Sequence, residues 1–181
     1  MTSLAELEQR LPKHLAQWSR ELHAASTVAR LCPYLLAAVC DRESRGGLAL
    51  KPPGPAGTGD FGHGRGLMQV DDRFHPGFLM ASDSAGKHLW KLPAYNILYG
   101  ALLLRANVDA LKDVHLALAA YNAGVSKVRR AADAITMGGD AAKIMEQRRA
   151  AADALTSGGD YGRDVLRRRA QWAPAEAPLE C

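Results

Sequence analysis

Glu43 to Asp71 reads E-S-R-G-G-L-A-L-K-P-P-G-P-A-G-T-G-D-F-G-H-G-R-G-L-M-Q-V-D, and how this stretch folds decides the architecture. It opens with a carboxylate at the end of an apolar run and contains two more, Asp60 and Asp71. Residues 48–66 hold three prolines and six glycines, a density that only loops and tight turns accommodate. Gly66-Leu67-Met68-Gln69-Val70 follows with strand character, so a small hairpin beside a helical core is the economical assembly. On that hairpin Asp60 and Asp71 would face Glu43 across a cleft. One acid on one wall and two on the other suits chemistry that needs a proton donor and a separate base.

Working outward, Leu31 to Glu43 is apolar nearly all round, with Pro33 fitting a first helical turn and Gly46-Gly47 ending the helix. Glu43 then falls in the last turn. There the negative end of the helix dipole and partial burial both favour retention of its proton. A solvated terminal glutamate paired with Arg42 or Arg45 is the simpler reading of that position alone. Leu4, Leu7, Leu11, Leu15, Trp18 and Leu22 predict an amphipathic arm over residues 1–30, bent at Pro12. Residues 72–92 read as irregular. A long buried helix is expected over Ala94–Leu111, and a second over Val114–Asn122 with Gly124 as its stop.

A-A-D-A-I-T-M-G-G-D at 131–140 recurs as A-A-D-A-L-T-S-G-G-D at 151–160, a tandem duplication that lengthens a surface helix-turn segment. A closing helix follows Tyr161 with Val165, Leu166 and Trp172 inward. Its arginines, Arg163 and Arg167 to Arg169, read as a solvated face rather than a nucleic-acid surface. The tail, residues 173–181, is expected to be flexible.

The 181 residues suit one domain with a sizeable core. Scarce β-branched residues favour a mostly helical chain. The net charge of +4 favours encounter with a polyanion without choosing among them. No apolar run of 18 residues is present, so no stable membrane insertion is expected. Glu6, Glu8, Arg10, Lys13, Arg20 and Glu21 interrupt any signal-peptide core near the start, and the chain is expected to be cytoplasmic at synthesis. Cys32 and Cys40 lie about 12 Å apart along one predicted helix, too far for a disulfide. With Cys181 they suit a reducing compartment. His63 has no second ligand at metal spacing, and neither metal nor cofactor is implied.

R-E-S at 42–44, G-D-F-G-H-G-R-G-L-M-Q-V-D at 59–71 and A-Y-N-A-G at 120–124 together resemble the goose-type lysozymes, and more distantly the soluble lytic transglycosylases. The likeness runs through Arg73 and His75 to D-Y-G-R-D-V-L-R-R-R-A-Q at 160–171, roughly residues 31–172 in all. It implies a lysozyme-like α+β fold, mostly α-helical with a small β-hairpin lining the cleft, and a substrate that is the peptidoglycan glycan strand. Glu43 matches the acid that protonates the departing oxygen between N-acetylmuramic acid and N-acetylglucosamine. Asp60 and Asp71 match the aspartates that hold and activate water. Gln69, His75, Tyr121 and Asn122 match substrate-cleft positions, and Ser44 and Met68 are expected to bind substrate with them.

The 131–150 copy is an insertion against the family pattern, and the cysteines of the vertebrate secreted members are missing. Retention of both aspartates favours an inverting muramidase over a lytic transglycosylase, which uses one acid and the sugar's own 6-hydroxyl. A phage structural or wall-binding protein without turnover is the other class. A monomer is expected, reaching the wall by holin release, injection or a secretion system.

Overall fold

The computed structural model describes residues 2–135 and 140–180. The chain divides into two compact units, Met1–Leu102 with Arg169–Cys181, and Leu103–Arg168. Among the described residues no helix is long and apolar enough to cross a membrane.

The first unit begins with three short helices, α1 (Leu4–Arg10), α2 (Lys13–Ala16) and α3 (Ser19–Ala29). The expected bend is a full break. Leu11 is extended because the ring of Pro12 excludes the helical conformation before it. α4 (Pro33–Ser44) is the axis of this unit. Of its twelve residues only Arg42 and Glu43 escape burial, so the two least apolar positions near its end are the ones left at the surface. Arg45, in a left-handed conformation, closes the helix, and its N–H is donated to the Asp41 carbonyl. Gly46 follows where a side chain is impossible, since a Cβ would stand 2.3 Å from the His14 carbonyl oxygen. Two further bonds tie α2 and α3 to this corner: Trp18 Nε1 donates to the Gly46 carbonyl at 2.9 Å, and His14 Nε2 meets Asp41 Oδ1 at 2.7 Å.

The expected hairpin is a three-stranded antiparallel sheet of β1 (Thr58–Gly59), β2 (Gly64–Arg65) and β3 (Val70–Asp71), in that order. The Gly66–Gln69 segment, read from sequence as strand, is the turn between β2 and β3. Strands of two residues cannot support themselves. Asn96, fully buried in α6 (Pro93–Leu111), supplies the missing bonds. Its Oδ1 accepts from Met68 N at 2.8 Å, and its Nδ2 donates to the carbonyls of Arg65 at 2.9 Å and Trp90 at 3.3 Å. Residues 72–92 are less irregular than expected, with α5 (Pro76–Met80) and a 3₁₀ turn over Leu89–Lys91.

The tail also departs from expectation. Cys32 N donates to the Leu179 carbonyl at 3.1 Å, Leu31 bridges Glu180, and Arg169 donates to the carbonyls of Ala177 and Pro178. Nearby backbone donors and one guanidinium pin a segment whose composition alone reads as free. Cys32 and Cys40 are buried, unpaired thiols, and Cys181 lies outside the described residues.

In the second unit α7 (Val114–Ala123) is capped by Asp113, whose side chain accepts from Leu116 N and from Arg149 of α9 (Ala141–Asp153). Together with α8 (Val125–Asp133) these helices enclose Leu116, Ala119, Ala120, Val128, Ala132 and Ala152. Asp153 accepts from His115 Nε2 at 2.9 Å and from Gly162 N at 2.7 Å, joining α7 and α9 to the start of α10 (Tyr161–Trp172). The first copy of the tandem repeat runs into residues 136–139, which lie outside the described residues; the second copy closes α9 and leads into α10.

Asn96→Ala leaves the buried Met68 N–H, the buried Trp90 carbonyl and the partly buried Arg65 carbonyl without their partner, and each such loss costs about 1–3 kcal/mol. Urea denaturation is expected to show the variant destabilised by about 3 kcal/mol or more in total, with the transition still cooperative.

Candidate active site

Glu43 sits half-buried in the last turn of α4, and its neighbour Ser44 determines where that turn lies. Ser44 Oγ donates to the Leu67 carbonyl at 2.7 Å, approaches the Cys40 carbonyl at 3.1 Å and accepts from Gly47 N at 3.1 Å. The helix end that carries Glu43 is thereby tied to the turn that leads into β3 and Asp71. Ser44 and Met68 are both wholly buried, which corrects their expected place among ligand-touching residues. They hold the wall from behind and present no surface to a ligand. Cys40, one turn before, is likewise no nucleophile. Burial pushes its thiol up to about 12.

Asp60 and Asp71 come together, and a cation joins them. Arg73 Nη2 lies 2.9 Å from Asp60 Oδ2 and 2.6 Å from Asp71 Oδ2. Arg73 Nε donates to Asp71 Oδ1 at 2.9 Å, and the Arg73 backbone N–H reaches the same oxygen at 2.9 Å. The side-chain bonds from Arg73 hold the Asp71 carboxyl below the usual carboxylate range, against a smaller opposing effect of burial. Sequence reasoning gave Arg73 no role, although its spacing of two from Asp71 is the signal for a side chain that folds back on its own loop.

Behind this cluster Asp72 is almost fully buried, and burial raises its proton affinity. His63 Nδ1 at 3.0 Å and Arg65 Nε at 2.6 Å more than offset that, so Asp72 remains ionised. The loop histidine therefore serves the sheet.

Gln69 has a left-handed backbone, φ 45°, and folds its side chain over the sheet. Its Nε2 donates to the Gly66 carbonyl at 2.8 Å, and its Oε1 lies against the paired residues Gly59 and Gly64. A Cβ at either glycine would come within 2.2 or 2.3 Å of that oxygen, so a larger residue at either position would push the Gln69 side chain off the sheet. His75 is half-buried, with Nδ1 3.3 Å from the Tyr99 hydroxyl and its ring edge-on to Tyr99. Burial lowers its pKa, opposed by the Asp71 charge, which leaves a neutral imidazole at neutral pH. Phe78 and Tyr95 pack with Tyr99 into an aromatic wall that the sequence did not reveal. Phe61 is fully exposed at φ 54° beside Asp60, and Phe74 is largely exposed beside Arg73. Tyr121 and Asn122 occupy the last turn of α7 in the second unit, where Asn122 Oδ1 accepts from Ser157 N at 2.9 Å.

The family model described as the transglycosylase SLT domain matches residues 22–142, two thirds of the chain. The chain belongs to the SLT domain family. The sequence had placed goose-type lysozymes nearer than this family. The SLT match takes in Glu43, Asp60, Asp71, Arg73, His75, Tyr121 and Asn122 alike. A protein called "Transglycosylase" from Enterobacteria phage PRD1 is 35% identical over 111 residues, which is 61% of this chain. That stretch spans only 36% of the phage protein's length.

Because Arg73 favours the ionised form of Asp71, this pair stabilises the fold above the ordinary carboxylate value of 3.8 and ceases to do so as pH falls through the lower folded-state value. Both side chains are partly exposed, so the effect is small. Thermal unfolding of Arg73→Gln against the parent chain is expected to show a slight deficit at neutral pH that closes below 3.8.

Proposed function

We propose that this SLT domain cleaves the β-1,4 bond between N-acetylmuramic acid and N-acetylglucosamine in peptidoglycan as a lytic transglycosylase, with Glu43 as its acid and then its base. The observation that carries this reading is the occupation of both aspartates by Arg73. A carboxylate held by a guanidinium and stabilised in its charged form is a weak base toward water. Glu43, by contrast, stands at the negative end of a helix dipole, where a neutral carboxyl is favoured over a carboxylate. The family match and the printed name of the phage relative support the same choice over the hydrolytic reading that the two aspartates first suggested.

In this mechanism Glu43 gives its proton to the bridging oxygen as the bond from that oxygen to muramic C1 breaks. The muramic 6-hydroxyl oxygen then bonds to C1 and its proton passes to the Glu43 carboxylate. The products are a free 4-hydroxyl and a 1,6-anhydro end, no water is consumed, and the acid is regenerated. Two carboxylates with one guanidinium leave the Asp60–Arg73–Asp71 cluster net negative, which favours positive charge at the sugar ring in the transition state.

An inverting muramidase is the second reading. Asp60 is half exposed and is held by Arg73 through one 2.9 Å contact, more loosely than Asp71, and would hold a water wherever that contact opens. For either chemistry we place the action at the cell wall, on a chain made in the cytoplasm and carried out by release, injection or secretion, and working as a monomer.

Glu43→Gln keeps the shape of the side chain and removes the proton. Dye release from labelled peptidoglycan is expected to fall by roughly 10²–10⁴-fold, with the melting temperature unchanged. Mass spectrometry of wild-type digests is expected to show 1,6-anhydro ends as the main product, and reducing muramic ends as the main product would assign the second reading instead.

A further inference from the structure

Arg73 has little to do for the fold. Its side chain is 49% exposed, and the partners it binds are 53% and 27% exposed. Ion pairs in such surroundings contribute little to stability. The turn before β3 is already held by Ser44 and Asn96, and the buried charge of Asp72 is met by His63 and Arg65. Yet the guanidinium makes the most complete arrangement in this part of the molecule. Both oxygens of Asp71 are engaged, one by Nε and the backbone N–H, the other by Nη2, and the same Nη2 reaches across to Asp60. A carboxylate has about four lone-pair positions. Arg73 side-chain and backbone donors take most of those on Asp71, leaving little room for an attacking water in the plane of the group.

We infer that Arg73 is a positioning residue that decides which nucleophile completes the reaction, by keeping Asp60 and Asp71 from activating water. The inference rests on the transglycosylase reading and adds to it the reason this site can carry two spare carboxylates without hydrolysing its substrate. In the chain as it stands, the muramic 6-hydroxyl attacks C1 and its proton goes to Glu43. With Arg73 removed, a water held by Asp71 or Asp60 competes. Its oxygen bonds to C1, one of its protons passes to the aspartate, and the product is a reducing muramic end. Lysine cannot replace the fork, because an ammonium is a point donor and cannot grip both oxygens of Asp71 while reaching Asp60.

The test is digestion of purified peptidoglycan in water enriched in oxygen-18 by the wild type, Arg73→Gln, Arg73→Lys and Arg73→Gln combined with Asp60→Asn and Asp71→Asn. The readout is the ratio of labelled reducing ends to 1,6-anhydro ends by mass spectrometry. A freed general base is worth roughly 10²–10⁴-fold, so the ratio is expected to rise about tenfold or more in Arg73→Gln. It should take an intermediate value in Arg73→Lys and return toward the wild-type value in the triple variant. A ratio in Arg73→Gln and Arg73→Lys equal to that of the wild type, whatever happens to the total rate, overturns the role of Arg73. Reducing ends as the main wild-type product overturn the transglycosylase reading itself, a different result from a different sample. Should Arg73→Gln fail to fold by circular dichroism, Arg73→Lys, which keeps the charge, decides the question alone.

Discussion

The hydrogen bond from Ser44 Oγ to the Leu67 carbonyl is the constraint on which the first unit's site depends. It joins the end of a buried helix to a turn between two-residue strands, a turn that Asn96 holds from its other side. Strands this short contribute too few ladder bonds to resist slippage. Their register comes instead from Ser44 on one side and Asn96 on the other, two wholly buried polar side chains whose bonding capacity is met mainly by backbone. Such networks are costly when half satisfied and rigid when complete. Here completeness lets a glutamate on a helix and two aspartates on a small sheet keep fixed positions while remaining open to solvent.

Charge is then distributed over that frame so that the carboxyl groups do different things. Asp72, the most buried of the sheet's acids, is neutralised by His63 and Arg65. Asp60 and Asp71 share Arg73. Glu43 stands half-buried in the last turn of α4. Groups of the same chemical type thus sit in different surroundings.

Much of this was legible in the chain. Apolar spacing marked α4, α6 and α7 to within a residue or two at their ends, because burial of one face imposes the helical period directly. Gly46 and Gly47 marked the end of α4, which put Glu43 in its last turn. The proline and glycine density of 48–66 excluded helix, and two turn aspartates were expected to converge there. Other parts were not legible. Gly66–Gln69 looked like strand because its residues are apolar, but they are apolar to bury a turn under Asn96. Ser44 and Met68 lay within the motifs and so read as ligand contacts, although they point into the core. The tail looked free by composition and is held by bonds to residues some 150 positions away in the chain.

The sequence by itself determined that the chain is a helical α+β protein with a helix-end glutamate, a glycine-rich turn region and two aspartates within it. Periodicity, turn chemistry and motif order are local properties that a reader can follow along the chain. Only the tertiary structure decided what those carboxylates touch. Arg73 is no more distinctive in sequence than the other arginines, and Asn96 is one polar residue in an otherwise apolar helix. Their importance comes from meeting partners brought close by folding, and hydrogen bonds act over about 3 Å of space whatever the separation in sequence.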